Sequence, residues 1–221
     1  ALPPTGGAGG AGAAVSADVD HVIVAIDTLE RGVAQLREKT GVTPVFGGVH
    51  PGRGTQNALL SLGPRVYLEL IAPNPADSAG PTMVRNYAHL RTVTPGGWAL
   101  HTSNADSLRA FAVARGLSAS EVRAGSRRKD DGSELSWKTV NPWGVNRFLL
   151  PFFIEWGPSS AHPSTTSPTG CTLASVELHA YGADSLRNML GAVSVRVPVS
   201  PAEADRMTIM LDCPTGRVRL P

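Results

Sequence analysis

Cysteine is nearly absent: the 221 residues hold two, Cys171 and Cys213. Two thiols can build neither the multi-bridge scaffold of a small disulfide-rich fold nor a metal cluster held by cysteine alone, and one bridge or two free thiols both remain open. Long apolar runs are missing as well. The most hydrophobic stretches, residues 21–26 and 148–156, fall well short of the roughly 18 residues of a membrane span, so no membrane partner is expected. Charge of one sign is also lacking. Twenty Lys and Arg against 18 Asp and Glu leave a formal net charge of +2, too even for a chain whose main partner is nucleic acid, because phosphate binding needs a concentrated basic surface. Aromatics make up only 5% of the chain, yet all four Trp (98, 137, 143 and 156) and Phe148, Phe152 and Phe153 gather in one stretch. That gathering marks the core and rim of one structural unit and an apolar pocket wall.

What is present is globular in composition, 42% hydrophobic and 17% charged. Residues 1–17 begin ALPPTGGAGGAGAA, a tract that cannot bury enough apolar surface to order itself, and read as a flexible tail. The location is left open, with a cytoplasmic chain favoured and export possible from the processed-looking N-terminus. Residues 20–26 (DHVIVAI) then read as a strand buried on both faces. Thr28 follows as an N-cap, with Leu29, Val33 and Leu36 at helical spacing and Gly41 as the stop. Three strand-like runs come next, over 43–47, 56–62 and 66–72.

The chain repeats itself. Residues 100–109 (LHTSNADSLR) align without a gap on 178–187 (LHAYGADSLR), with seven of ten positions identical, and each block runs from a strand into a helix. The first unit has the same pattern in HVIVAIDTLERG. This predicts three related modules, over 18–74, 95–157 and a degenerate one over 171–221, joined by Pro/Ser/Gly-rich connections such as 158–170.

Asp20-His21 opening the first strand, Tyr67-Leu68-Glu69-Leu70 in the fourth, and Gly47-Gly48-Val49-His50 followed by Gly54-Thr55-Gln56-Asn57 together resemble the vicinal oxygen chelate superfamily, in its glyoxalase-like branch. Ser126-Arg127, Leu135-Ser136-Trp137 and residues 150–156 (LPFFIEW) resemble its second half. The resemblance implies an α+β fold of repeated βαβββ modules, each forming half of a curved, barrel-like mixed sheet around a cavity. It further implies a divalent metal (Zn, Ni, Mn or Fe) held by His and Glu from each half, with lyase, isomerase or dioxygenase chemistry on a small-molecule ligand. A metal-free protein of the same fold that binds or sequesters a small molecule is the alternative, and a homodimer is compatible with either.

On that resemblance His21 and Glu69 match the first-half ligands, and Glu155 matches the second-half glutamate by its local Ile-Glu-Trp pattern, as metal ligand or general base. The second-half histidine is missing: Gly97 stands opposite His21, and His101 lies four residues further on, about 13 Å along a strand at about 3.3 Å per residue. His101 and His50 are then candidate proton-transfer groups. Thr55 and Asn57, which follow the Gly-rich turn at His50, are expected to line the cavity mouth. Arg127 is expected to reach inward and bind a substrate carboxylate bidentately, beside Trp137.

Overall fold

The computed structural model describes residues 19–50, 52–77, 87–128, 134–144 and 147–221. The tail expected over 1–17 and the acidic pair Asp130 and Asp131 lie outside the described residues.

Strand β1 (Val19–Ala25) is buried along almost its whole length. Its β-branched side chains face a helix layer on one side and the site on the other. Helix α1 (Leu29–Thr40) turns Leu29, Gly32, Leu36 and Thr40 onto the sheet, the three-and-four spacing of an amphipathic helix. A Cβ on Gly32 would stand 2.7 Å from Leu70 Cδ2 and 2.8 Å from Ile26, so a glycine is what allows the helix this close to β4. Thr28 takes the extended N-cap conformation without a side-chain hydrogen bond, and Gly41 ends the helix at φ 74°. There its N–H donates to Arg37 O at 2.8 Å, closing the helix as an αL glycine does.

Strands β2 (Val45–His50), β3 (Thr55–Ser61) and β4 (Tyr67–Pro73) complete the first unit. The second unit repeats the order: β5 (Thr94–His101), α2 (Ala105–Ala114), β6 (Arg123–Arg128), β7 (Glu134–Val140) and β8 (Phe152–Trp156). All eight strands form one sheet, in the order β2-β3-β4-β1-β5-β8-β7-β6. Strand β1 runs parallel to β4, β5 runs parallel to β8, and the two halves join through the antiparallel β1–β5 pair. The sheet curves until it is nearly a barrel. Of the four tryptophans, Trp98 and Trp143 are core: their indole N–H groups donate to Leu149 O at 3.0 Å and Pro151 O at 2.8 Å.

The last unit, β9 (Thr172–Ala180), α3 (Ala183–Ala192), β10 (Val199–Pro201), β11 (Arg206–Cys213) and β12 (Gly216–Leu220), has the same element order but a different sheet. Its strands lie β10-β9-β11-β12, with β9 parallel to β10 and antiparallel to β11. In the first two units the opening strand instead pairs parallel to the closing strand. The third unit therefore repeats the local pattern of strand into helix without repeating the half-barrel. A disulfide joins Cys171 and Cys213 where β9 begins and β11 ends. The unit rests on the first half, with Thr215 Oγ1 donating to Lys39 O at 2.5 Å and Leu173 N to Leu62 O at 3.3 Å. Among the described residues no helix is long and apolar enough to cross a membrane.

Candidate functional site

The concave face of the first half carries a cluster of polar groups centred on Glu69. Side chains alternate along strands, so His21 and Ile23 of β1, Tyr67 and Glu69 of β4, Thr55 and Asn57 of β3 and His50 of β2 share this face, as their cross-strand pairings require. Asn57 Nδ2 donates to Glu69 Oε1 at 2.6 Å. His50 Nε2 lies 3.5 Å from the same oxygen, and His21 Nε2 lies 3.8 Å from Oε2. His50 Nδ1 is 2.8 Å from Thr55 Oγ1. His21, Glu69, His50, Thr55 and Asn57 thus stand together on one face.

Gly47 and Gly48 make room for this arrangement. The β2–β3 register slips between Phe46 and Gly48, a bulge at Gly47. A Cβ on Gly47 would meet Asn57 Oδ1 at 2.4 Å, and that oxygen is buried with no hydrogen-bond partner among the described residues.

Behind His21 lies a buried network that sequence reasoning did not include. The β1–β5 register shifts between Val19 and His21, so Asp20 is the extra residue of a bulge, which turns its side chain to the same side as that of His21. The Asp20 carboxylate accepts from His21 Nδ1 at 2.7 Å, from Trp156 Nε1 at 2.9 Å and from His162 Nε2 at 3.2 Å. His162 Nδ1 accepts from Ser164 N, so its proton sits on Nε2, facing Asp20. Tyr67 stacks on His21 with ring centroids 4.6 Å apart. His162 comes from the connection between β8 and β9, which is stitched down by Ser61 N to Pro168 O, Arg65 N to Ser164 Oγ and Gly157 N to Ser136 O. The signal for it was slight: one histidine ahead of Pro-Ser-Thr, the pattern of a capped helical turn, in a stretch whose composition reads as linker.

Electrostatics follow from this packing. Burial alone would raise the Asp20 carboxyl, but hydrogen bonds from His162 and His21 outweigh it and hold the group well below the usual carboxylate range. Burial lowers His50. The charges of Arg53 and Arg127 lower it further, against the opposing pull of Glu69. The Tyr67 phenol is raised well above its ordinary value by burial and by the charges of Glu69 and Asp20.

The second half contributes otherwise than expected. His21 pairs with Ala99 and Ile23 with Gly97, so an approximate twofold at the β1–β5 seam exchanges His21 with Gly97 and Ile23 with Ala99. Glu69 pairs with Ile23, and the residue paired with Ala99 is Phe152. Phe152, not Glu155, therefore occupies the place of Glu69, and its ring packs edgewise on His21 at 5.5 Å. Glu155 is three residues on, an odd number, and faces the other way. Its Oε2 accepts from Ala105 N at 2.8 Å at the start of α2. It lines an open crevice of about 480 Å³ with Ser126, Ser136 and Lys138, whose Nζ donates to Asp106. The Ile-Glu-Trp pattern misled because it fixes residue types and not the strand register. His101 ends β5 with its ring nitrogens 3.2 and 3.4 Å from Arg65 Nη2. Trp137 packs edgewise on Trp156 at 5.9 Å, and Arg127 reaches across to Gly48.

The donor set for a metal can be tested on these residues. His21 Nε2 and Glu69 point toward each other, and the Asp20 bond behind His21 is the kind of outer support that metal-bound histidines have. The counterpart positions, however, hold a glycine and a phenylalanine. Among the described residues no three His, Cys, Asp or Glu side chains group so as to hold a metal ion. The residues present do not fit a four-donor metal drawn from both halves.

Comparison with known proteins agrees with this fold. A family model described as a glyoxalase-like domain matches residues 19–193, a span that includes His162 and α3. A hypothetical protein from Staphylococcus aureus is similar over 85% of this chain and 87% of its own, with a TM-score of 0.66 at 14% identity. A triple mutant of 4-hydroxymandelate synthase from Streptomyces coelicolor is similar over 91% of this chain and 61% of its own, at TM-score 0.50 and 15% identity. Methylmalonyl-CoA epimerase from Mycobacterium tuberculosis is similar over 66% of this chain and 92% of its own, at TM-score 0.45 and 20% identity. At these identities the likeness is one of fold. No curated protein matches the sequence at a significant level.

Proposed function

The chain belongs to the glyoxalase-like domain family of the vicinal oxygen chelate superfamily, and from that premise we propose that it is a small-molecule enzyme of the isomerase or lyase kind, with Glu69 as the proton-transferring base. The observation that carries this reading is the setting of Glu69: a carboxylate only 8% exposed, on the concave face, flanked by two imidazoles and an amide. A carboxylate so placed takes a proton from carbon beside a carbonyl; the resulting carboxyl either returns that proton or passes it to the bare nitrogen of a neighbouring imidazole, which then gives it back. Asn57 fixes the Glu69 carboxylate in one orientation. Asp20 fixes the tautomer of His21 by taking its Nδ1–H, which leaves Nε2 toward Glu69. His50, kept neutral near pH 7 by burial, is the second imidazole able to carry the proton. Phe152, Tyr67 and Trp137 offer an apolar floor for the organic part of the substrate. The dioxygenase and metal-lyase chemistries suggested by the resemblance would need donors that Gly97 and Phe152 do not supply.

The experiment is solvent exchange. Wild-type protein incubated with 2-oxobutyrate or phenylpyruvate in D₂O should wash deuterium into the carbon next to the carbonyl, followed by ¹H NMR. Glu69→Gln should lose at least 100-fold of that rate. Exchange that persists at the wild-type rate in Glu69→Gln would remove Glu69 as the base. The replacement of both second-half donors also favours a binding protein that sequesters its ligand; binding of such compounds without any exchange supports that reading.

A further inference from the structure

Arg127 belongs to β6, one edge of the eight-stranded sheet, yet its side chain lies against β2, the opposite edge. A Cβ placed on Gly48 would stand 2.6 Å from Arg127 Nη1, 2.9 Å from Cδ and 3.3 Å from Cζ. No side chain fits there with the arginine in place. Gly48 thus forms a bed for a guanidinium that bridges the two edges of the curved sheet. Gly48 pairs with Asn57, which holds Glu69, so a single strand, β3, lies between the bed and the carboxylate.

We propose that Arg127, seated in the gap at Gly48, is an anion clamp at the mouth of the Glu69 site and selects substrates that carry a carboxylate. The proposal rests on the placement of chemistry at Glu69 and adds the substrate class. A guanidinium has five N–H donors in a planar fork that matches a carboxylate bidentately, and a bond within the protein does not exhaust them. Glu69 itself is already engaged by Asn57, with His50 and His21 beside it. The mouth is electropositive from two directions, since the charges of Arg127 and of Arg53 on the β2–β3 turn both act on His50. A cationic rim over a buried carboxylate holds an anionic group outside while its carbon skeleton reaches inward over Phe152 and Trp137. An arginine there also stabilises the negative charge that builds on a carbonyl oxygen as the neighbouring carbon loses its proton.

Isothermal titration with phenylacetate, phenylpyruvate and the neutral phenylacetamide tests this without any turnover. The two carboxylates should compete for one site, and the amide should bind at least ~10-fold more weakly. Arg127→Met should weaken carboxylate binding by about 10- to 100-fold, with Arg127→Lys between it and wild type. Gly48→Ala, which keeps the guanidinium but fills its bed, should weaken binding likewise; circular dichroism of both variants checks that they fold. Equal affinity in Arg127→Met, or no carboxylate binding to the wild type at millimolar concentration, overturns the clamp. Glu69→Gln separates the two readings. It should bind phenylacetate as well as or better than wild type while losing deuterium exchange; carboxylate binding by the wild type without any exchange defeats the base and leaves the clamp. Exchange on neutral substrates alone does the reverse.

Discussion

Asp20→Asn removes one charge from the buried network and changes nothing in its shape. The wild-type carboxylate, 1% exposed, accepts three N–H groups, from His21, Trp156 and His162. An asparagine offers one acceptor oxygen and one NH₂. If its oxygen stays with Trp156 and His162, its NH₂ meets His21 Nδ1–H, and His21 must change tautomer and turn Nε2–H toward Glu69. If the amide is flipped, two donors are left facing a third. Hydrogen bonds to a charged group contribute about 1.5–3 kcal/mol each, and breaking one partner of a buried charged pair costs about 3–5 kcal/mol. With partial recovery by the tautomer change, a loss of about 3 kcal/mol is expected at pH 7. For a chain of this size that is a fall of about 6–12 °C in Tm, and a lower guanidinium midpoint at unchanged m. The acid limb gives a second reading. The folded Asp20 carboxyl is held below its ordinary value, so as pH falls below about 4 the unfolded chain binds the extra proton. The wild type then loses stability by up to about 1.4 kcal/mol per pH unit from this group alone, a component that Asp20→Asn lacks. The gap between the two proteins should therefore narrow from pH 4 downward. A difference under about 0.5 kcal/mol at pH 7, or a gap that widens in acid, would refute the reasoning.

Glu155→Ala should cost about 1 kcal/mol in thermal unfolding, the worth of a helix N-terminal partner, and leave carboxylate binding at the Glu69 site unchanged in titration; lost binding would mean that Glu155 acts on the Glu69 cluster after all. Replacing Cys171 and Cys213 by serine opens a loop with a sequence separation of 42. Chain entropy puts that at about 4 kcal/mol, measured as the difference in denaturant unfolding between the oxidised wild type and the variant.

The sequence was most legible where local rules decide. The β-branched run of β1, the helical spacing of Leu29 and Leu36 and the αL stop at Gly41 were readable because each depends on neighbours in the chain. The cluster of His21, His50, Asn57 and Glu69 was readable because all four belong to one unit, whose strands follow one another through short turns. What failed depended on register between distant strands. Glu155 looked like Glu69 in its flanking residues, but a strand shifted by an odd number of residues turns every side chain over. Only the pairing of Ala99 with Phe152 shows which residue holds the position. Asp20 was hidden by a bulge, which no single-strand pattern reveals, and His162 by a stretch whose composition reads as linker. The third unit kept the helix-start motif of the second and lost its strand order, because seven identities in ten specify a strand running into a helix and say nothing of which strand lies beside it.

The connection that carries His162 has a consequence for how the molecule divides. Residues 19–156 contain the whole eight-stranded sheet and every side chain around Glu69. A cut after β8 would look architecturally clean. It would nonetheless take away one of the three donors on Asp20 and the ring that packs on Tyr67 and Trp156. The repeated unit and the unit that completes the buried Asp20 network do not coincide. The two halves of the sheet repeat one order of elements, but the buried wall behind His21 is finished by the segment of chain that leaves them. Any grafting, permutation or minimisation of this scaffold has to carry that segment along.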